Sequence, residues 1–141
     1  LGLFAQSPTD FAPTERDLRV YRDARVAPAD VDGFYTYDAF SSLVWLALER
    51  FAHCVPGQAW QSTTPDSMAF DGTLPINTNG GLIGEGHTAG WGHIVEMTRQ
   101  LRHECGPRQI REARLLQWAT VFGDSFLLTN ERAMLDRRRA A

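Results

Sequence analysis

Helix-type and strand-type patterns alternate along most of this chain. Segments with apolar residues three and four positions apart predict helices, whereas short runs rich in β-branched and aromatic residues predict strands. The predicted helices span residues 14–25, 41–54 and 88–104. The predicted strands lie at residues 31–37, near 74–76, at 113–121 and at 125–129. This order indicates a layered α/β domain in which parallel strands form the middle of a mixed sheet and the last hairpin forms an antiparallel edge.

The composition excludes several classes of function. All 14 basic residues are arginine, so these residues alone cannot form a lysine Schiff base. The formal net charge of −3 argues against nucleic-acid binding. No apolar run approaches the roughly 20 residues of a membrane span, and no signal-peptide pattern is present, so we expect a cytoplasmic protein without a membrane span.

Three regions are predicted along the chain. Residues 1–13 form an irregular lead-in with two prolines, residues 14–131 form the folded domain, and residues 132–141 form a basic tail. Within the domain, the segment from residue 57 to residue 73 is predicted to be a long loop because it is rich in turn-forming residues.

Cysteine and metal-ligand spacing carry little chemical signal. Cys54 and Cys105 are too few for a disulfide framework and are interpreted as buried, reduced thiols. His93 and Glu96 have the i,i+3 spacing of two ligands on a helix, but one such pair is more typical of a structural polar pair. No metal site is predicted.

The strongest chemical signal is a run from Asn77 to Gly92 that places His87 among six glycines and leads directly into the third predicted helix. Glycines let the backbone adopt positive φ angles and approach a ligand closely. A residue at a loop-to-helix junction also lies beside free N–H groups and the positive end of the helix dipole. This run therefore predicts a site that presents a base to an anionic or carbonyl-bearing substrate.

The same run resembles the segment of thiolases that carries their catalytic histidine. In addition, Tyr37-Asp38-Ala39-Phe40 falls where thiolases have an Asn-Glu-Ala-Phe loop and the sterol-carrier branch has a His-Asp-Cys-Phe loop. The similarity covers residues 14–131 and is closest to the sterol-carrier and lipid-transfer branch and to thiolase-like aldolases. It implies the C-terminal half of a thiolase, an α/β/α half with a mixed sheet of about four to five strands.

The resemblance implies catalytic roles for His87 and Tyr37, whereas Asp38 is a catalytic candidate that better suits an N-cap of the following helix. His87 corresponds to the base or oxyanion donor, and Tyr37 resembles the acid/base tyrosine of lipid-transfer aldolases. Those aldolases tend to have a tyrosine where this chain has His87. The residues predicted to be catalytic are His87, Tyr37 and Asp38. The residues predicted to bind substrate are Asn79, Gly80, Gly81, Gly86, Gly90 and Trp91.

Two reaction types remain open. Thiolases that condense or cleave acyl groups use a second cysteine, but Ala39 stands at one of its two positions and the last hairpin has no cysteine. The resemblance implies an enzyme that makes or breaks a C–C bond next to an acyl-CoA thioester by Claisen-type acyl transfer. Alternatively, it implies retro-aldol cleavage of a β-hydroxyacyl-CoA that uses Tyr37, a reaction that needs no second cysteine. A further alternative is a non-catalytic acyl-CoA-binding or scaffold subunit.

The resemblance also implies partners. The nucleophilic cysteine would come from a thiolase-like N-terminal half, on the same or a separate chain, and a dimer or higher oligomer is expected. A small OB-fold acyl-CoA-binding protein is a further expected partner. Coenzyme A thioester is expected as substrate, with no covalently bound cofactor.

Overall fold

A three-stranded mixed sheet lies at the centre of the fold. In the computed structural model, which describes residues 12–131, the strands are β1 (Gly33–Thr36), β2 (Leu115–Ala119) and β3 (Ser125–Thr129). β1 pairs with β2 in parallel, and β2 pairs with β3 in antiparallel orientation. Residues 1–11 of the predicted lead-in and the predicted tail at 132–141 lie outside the described residues.

Helices cover both faces of this sheet. The α-helices are α1 (Glu15–Ala24), α2 (Ser41–Arg50), α3 (Ala59–Ser62), α4 (Pro65–Met68), α5 (Gly81–Glu85) and α6 (Trp91–Leu101). Two 3₁₀ turns span Pro28–Asp30 and Gly106–Arg108. Helix α1 begins as the sequence predicts, because the Thr14 hydroxyl accepts a hydrogen bond from the Asp17 amide in a capping box.

Neighbouring residues of β1 face two separate cores, as the two-residue period of a strand requires. The Phe34 side chain lies in the core formed with α1 and α2, which also contains Tyr21, Leu48 and Phe51. The Tyr35 side chain lies in the opposite core, with Met97 of α6. The predicted α/β/α layering is therefore confirmed.

The sheet has fewer strands than predicted. The segment near residues 74–76 makes only an isolated parallel bridge, between Ile76 and Phe34. Pro75 has no N–H group to donate, and Asn77 has a positive φ of 46°, so the chain leaves the sheet immediately after the bridge. The prediction of four to five strands is thus corrected to three strands and one bridge among the described residues.

Two predicted loops contain short helices. The segment from 57 to 73 includes α3 and α4, and the glycine run forms α5. Two predicted helices are also shorter than expected: α2 ends before Ala52, which has a φ of 58°, and α6 begins after Gly90, which has a φ of 89°. No helix among residues 12–131 is long and apolar enough to cross a membrane.

A buried ion pair fastens α1 to α2. The Nε atom of Arg50 lies 3.0 Å from Oδ1 of Asp17, and the two side chains are 8% and 1% exposed. The Arg50 guanidinium also donates a hydrogen bond of 2.9 Å to the Val121 carbonyl, next to the β2–β3 turn. One arginine therefore links both helices of this layer to the edge of the sheet.

Candidate functional site

Tyr37 and His87 are in direct contact at one end of the sheet. Tyr37 follows the last residue of β1, and His87 follows α5, which the chain leaves through Gly86 at a φ of 101°. The Tyr37 hydroxyl lies 2.8 Å from Nε2 of His87, and the two rings meet edge to face at an angle of 86°. Tyr37 is half-buried, whereas His87 is exposed. A phenol hydrogen-bonded to an imidazole can exchange a proton with it and with a bound substrate.

The end of β1 is held in place by Asn77, which is not among the predicted site residues. The Asn77 side chain accepts a hydrogen bond of 2.9 Å from the Thr36 amide and donates one of 3.1 Å to the Thr36 carbonyl. This amide completes the strand pairing at the residue that precedes Tyr37. Its signal in the sequence is its position directly after the short apolar segment, where a side chain with both a donor and an acceptor can extend a strand pair.

Asp38 contacts the glycine run rather than the helix that follows it. The N-cap of α2 is Phe40, which makes no side-chain capping bond. Instead, Asp38 Oδ1 accepts a hydrogen bond of 2.9 Å from the Leu82 amide, in the first turn of α5. The interpretation of Asp38 as the N-cap of α2 is therefore wrong. Its carboxylate also occupies the space beside Gly81 that a β-carbon would need.

Asn79 joins the first turn of α5 to its last residue and to α6. Its Oδ1 accepts a hydrogen bond of 3.3 Å from the Gly81 amide, and its Nδ2 donates one of 2.9 Å to Glu85. The same Oδ1 lies 3.3 Å from Nδ1 of His93, a fully buried residue of α6. Asp38, Asn79 and Gly81 therefore form one polar cluster beneath α5.

The other predicted substrate-binding residues are more dispersed. Gly80 and Gly86 are exposed at the two ends of α5. Gly90 is buried, and a β-carbon there would lie 3.3 Å from Cζ2 of Trp118. Trp91 is 67% exposed on the first residue of α6. The structure thus brings Asp38, Asn79 and Gly81 together and leaves Trp91 on the surface.

Helix α6 has a buried face that differs in part from the one its apolar residues predict. The apolar periodicity predicts a face with Ile94, Val95, Met97, Thr98 and Leu101. Val95 is instead 56% exposed, and the buried residues of α6 are His93, Glu96, Met97 and Gln100. Polar residues occupy three of these four positions because each has partners inside the protein. His93 and Glu96 are not a pair: Glu96 forms two 2.9 Å contacts with the Arg108 guanidinium.

The Glu96 carboxylate organises a second polar network, which the sequence pattern does not predict. Its Oε1 accepts hydrogen bonds of 3.0 Å from Thr78 and from Gln100, and the Thr78 hydroxyl lies 2.7 Å from the Tyr35 hydroxyl. Burial alone would raise the pKa of Glu96, but its bonds to Arg108, Gln100 and Thr78 outweigh that effect and lower it. Burial raises the pKa of Tyr35 far above its usual range. This network fixes the side chain of Thr78, which lies between Asn77 and Asn79.

Neither cysteine belongs to this site. Cys54 is half-buried in a small cavity with His53 and Leu74, and Cys105 is buried near Glu96. Burial raises the pKa of each thiol to about 11, so both are neutral near pH 7. No group of three or more His, Cys, Asp or Glu residues within the described part of the chain could hold a metal ion.

A cavity of about 480 Å³ lies elsewhere, between α1 and β3. Its walls include Val20, Phe126 and Leu127, with Arg16 and Arg19 at its polar side. None of the residues predicted to be catalytic or to bind substrate lines it.

Comparison with known proteins identifies related sequences. The chain is 34% identical over 84 residues to a 17-hydroxy-3-oxo-4-pregnene-20-carboxyl-CoA lyase of Mycobacterium tuberculosis, an alignment that covers 60% of this chain and 22% of the lyase. It is 32% identical over 119 residues to sterol carrier protein 2 of Rattus norvegicus, covering 82% of this chain and 22% of that protein.

A solved structure named Ltp2-ChsH2(DUF35) aldolase superposes with a TM-score of 0.75 at 26% identity, covering 86% of this chain and 33% of that one. The chain thus spans about a fifth of the length of the two relatives. Residues 6–131 match the model of the thiolase C-terminal domain-like family, and the chain belongs to that family.

Proposed function

We propose that this chain supplies the acid/base residues of an active site that breaks the Cα–Cβ bond of a β-hydroxyacyl-CoA by retro-aldol chemistry. The observation that carries the proposal is the 2.8 Å contact between the Tyr37 hydroxyl and His87 Nε2. The alignments with a CoA lyase and with an aldolase support the same reaction class.

The proposed step needs only one acid/base unit from this chain. Tyr37 accepts the proton of the substrate β-hydroxyl as its own phenol proton passes to His87. The Cα–Cβ bond then breaks, its electron pair moves onto the thioester as an enolate, and the former β-carbon becomes a carbonyl. Return of the proton to the α-carbon gives a shortened acyl-CoA and restores the pair.

The cysteines favour this reaction over the Claisen type. A Claisen reaction requires thiols that attack and exchange protons, but Cys54 and Cys105 have raised pKa values near 11 and neither contacts Tyr37 or His87. Claisen chemistry, which is the other proposal, would depend on cysteines contributed from outside this chain.

The acid/base pair needs other groups to complete the active site. Because the chain spans 22% of its relatives, we propose that a thiolase-like N-terminal half, on the same or a separate chain, covers His87 and binds most of the coenzyme A. Asn79, Gly80, Gly81, Gly86, Gly90 and Trp91 remain the proposed substrate-binding residues on this side. The name of the structural neighbour joins Ltp2 to a ChsH2(DUF35) component, which supports a partner chain here. We propose that this partner is a small OB-fold acyl-CoA-binding protein and that the assembly is a dimer or larger.

A second candidate follows from the alignment with sterol carrier protein 2, which covers 82% of this chain. In that case the chain would be an acyl-CoA-binding or scaffold subunit without a catalytic role, and the Tyr37–His87 contact would only shape the surface.

One assay separates these candidates. The full-length protein, with any partner that copurifies, is incubated with a 3-hydroxyacyl-CoA, and the released carbonyl compound and shortened acyl-CoA are quantified by mass spectrometry. His87→Ala should lower kcat by about 10²–10⁴-fold, the usual contribution of general acid–base catalysis. The matched control is His103→Ala, at an exposed histidine beyond the end of α6. Equal rates in the two variants, with the assembly intact, would contradict the enzymatic proposal.

A further inference from the structure

The three residues that open the glycine run, Asn77, Thr78 and Asn79, join three elements of the fold through their side chains. Asn77 bonds the backbone at the end of β1, and Asn79 bonds the first turn of α5. Thr78 bonds one side chain of β1 and two side chains of α6. Because Tyr37 follows β1 and His87 lies between α5 and α6, these are the elements that carry the proposed acid/base residues.

The hydrogen bonds of the Thr78 hydroxyl have determined directions. The pKa of Glu96 is lowered, so its carboxylate is ionised at pH 7 and can only accept; Thr78 therefore donates its single hydrogen to Glu96 Oε1, at 3.0 Å. The Ile110 amide donates to Gln100 Oε1, which identifies the other end of that side chain as the nitrogen that donates to Thr78 at 3.1 Å. Thr78 has no second hydrogen, so the Tyr35 hydroxyl, at 2.7 Å, donates to it as well.

The Tyr35 hydroxyl depends on Thr78 for its hydrogen bond. Tyr35 is 0% exposed, and burial raises the pKa of its phenol far above the usual range, so the phenol keeps its hydrogen at neutral pH. Thr78 is the only hydrogen-bond partner of this hydroxyl within the described part of the chain. A buried donor without an acceptor is costly, because it has lost its hydration and gained no bond in return. Loss of the Thr78 hydroxyl would therefore force the chain around position 78 to move until water or another acceptor reached Tyr35.

A shift at position 78 would be passed on to both proposed acid/base residues. On one side, Asn77 bonds the amide and the carbonyl of Thr36, the residue before Tyr37. On the other side, Asn79 bonds the first and the last residue of α5, the helix that ends two residues before His87. The two residues that meet at 2.8 Å are thus each attached to a direct neighbour of position 78.

We propose that Thr78 is a positioning residue that sets the distance between the Tyr37 hydroxyl and His87 Nε2. It acts by pairing the buried Tyr35 hydroxyl, which keeps the start of the glycine run seated against β1 and α6. Its effect on turnover rests on the proposed function, whereas its effect on the Tyr37–His87 contact does not.

Nuclear magnetic resonance tests the positioning without any activity assay. The full-length protein, with any partner that copurifies, is labelled with ¹⁵N in histidine, and the His87 signal is identified by its loss in His87→Ala. The change of the His87 Nε2 shift on Tyr37→Phe then reports the hydrogen bond between the two residues. We expect a clear change in the wild-type and Thr78→Ser backgrounds, but little or none in Thr78→Val, which retains the shape of threonine without its hydroxyl. A change of wild-type size in the Thr78→Val background, or none in the wild-type protein, would overturn the proposal.

A second-site substitution tests whether the Tyr35 hydroxyl is the cause. Tyr35→Phe removes the donor that Thr78→Val leaves unpaired, and removal of both partners of a buried hydrogen bond is nearly neutral. The effect of Tyr37→Phe on the His87 signal should therefore return in the variant that combines Thr78→Val with Tyr35→Phe. This variant also decides the question if Thr78→Val alone folds poorly. A folded combined variant in which the effect does not return would overturn the role of the Tyr35–Thr78 bond.

Turnover tests the consequence for catalysis. We expect kcat for 3-hydroxyacyl-CoA cleavage to fall about 10²-fold in Thr78→Val, as for a misplaced catalytic group, and to be largely retained in Thr78→Ser. The matched control is Thr98→Val, since the Thr98 hydroxyl bonds only the Ile94 carbonyl of its own helix among residues 12–131, at 2.8 Å. Equal kcat values in Thr78→Val and Thr98→Val would overturn the positioning role in catalysis. If the wild-type protein itself cleaves no 3-hydroxyacyl-CoA, the proposed function fails, and the His87 signal still decides whether Thr78 sets the contact.

Discussion

The Tyr37 hydroxyl lies 2.8 Å from Nε2 of His87, although 50 positions separate the two residues in the sequence. Each residue stands at the end of a regular element, Tyr37 after β1 and His87 after α5. Their contact therefore depends on how the glycine run is attached to the end of the sheet. That attachment is made by Asn77, which bonds the Thr36 backbone, and by Asp38, which binds the Leu82 amide.

Removal of the Tyr37 hydroxyl should distinguish the two reaction types. Tyr37→Phe retains the ring but cannot exchange a proton, so retro-aldol cleavage of a 3-hydroxyacyl-CoA should slow by about 10²–10⁴-fold. Thiolysis of a 3-ketoacyl-CoA by free CoA, measured on the same preparation, should change little. Small and equal effects in both assays would refute the role assigned to Tyr37.

Substitution of Gly81 should disrupt the site more than substitution of Gly84, although both residues lie in α5. A β-carbon at Gly81 would collide with the Asp38 carboxylate, and the φ of 68° there is unfavourable for alanine, whereas a β-carbon at Gly84 meets nothing within 4 Å. Gly84→Ala should even stabilise the helix by about 0.5–1 kcal/mol. Thermal unfolding and cleavage rates of the two variants test this, and the prediction fails if Gly81→Ala retains wild-type values of both.

The buried Asp17–Arg50 pair should contribute far more to stability than an exposed pair on the same helix. Arg50→Met leaves the Asp17 carboxylate without this partner and should cost about 3–5 kcal/mol in the free energy of unfolding. The control is Arg19→Met, since Arg19 is paired with Asp23 at 3.1 Å but is 68% exposed; its cost should be about 0–1 kcal/mol. Urea denaturation measures both, and similar costs would contradict the assignment.

Protonation of the Glu96 carboxylate should lower the free energy of unfolding in acid. Its pKa is lower in the folded protein than its ordinary value of 4.5, so the folded state binds this proton less readily than the unfolded state. The resulting stabilisation is present above pH 4.5 and is lost as the pH falls through the lower folded value. Glu96→Gln should therefore flatten the acid part of the stability curve, whereas the exposed Glu104→Gln should not. An unchanged acid slope in Glu96→Gln would rule out this contribution.

The sequence predicts the α/β/α layers and places Tyr37 and His87 at the ends of their segments, because the layers and these two positions depend on local patterns. The β1 pattern and the glycine run are each recognisable, and parallel strands bring their carboxyl ends to one edge of a sheet. Helix α5 was not predicted, because glycine disfavours a helix by about 1 kcal/mol relative to alanine. The Asp38 carboxylate, 44 positions away from Leu82, compensates by binding an amide of its first turn.

The buried polar residues around the site could not be predicted either, because their partners lie far away in the sequence. Glu96 and Gln100 lie on the buried face of α6, where hydrophobic periodicity predicts apolar residues. Their burial depends on partners in distant segments, including Thr78 and Arg108. No pattern within the helix indicates such partners, so the periodicity places Met97 correctly on the buried face but not His93, Glu96 and Gln100.

The most direct test of the account is whether Tyr37 and His87 act as one unit. A double-mutant cycle compares kcat for 3-hydroxyacyl-CoA cleavage in Tyr37→Phe, His87→Ala and the double variant, all in the intact assembly. Residues that transfer one proton together have strongly non-additive effects, so the double variant should be about as slow as the slower single variant. If the two rate losses instead multiply, the residues act independently, and the proposed acid/base pair is wrong.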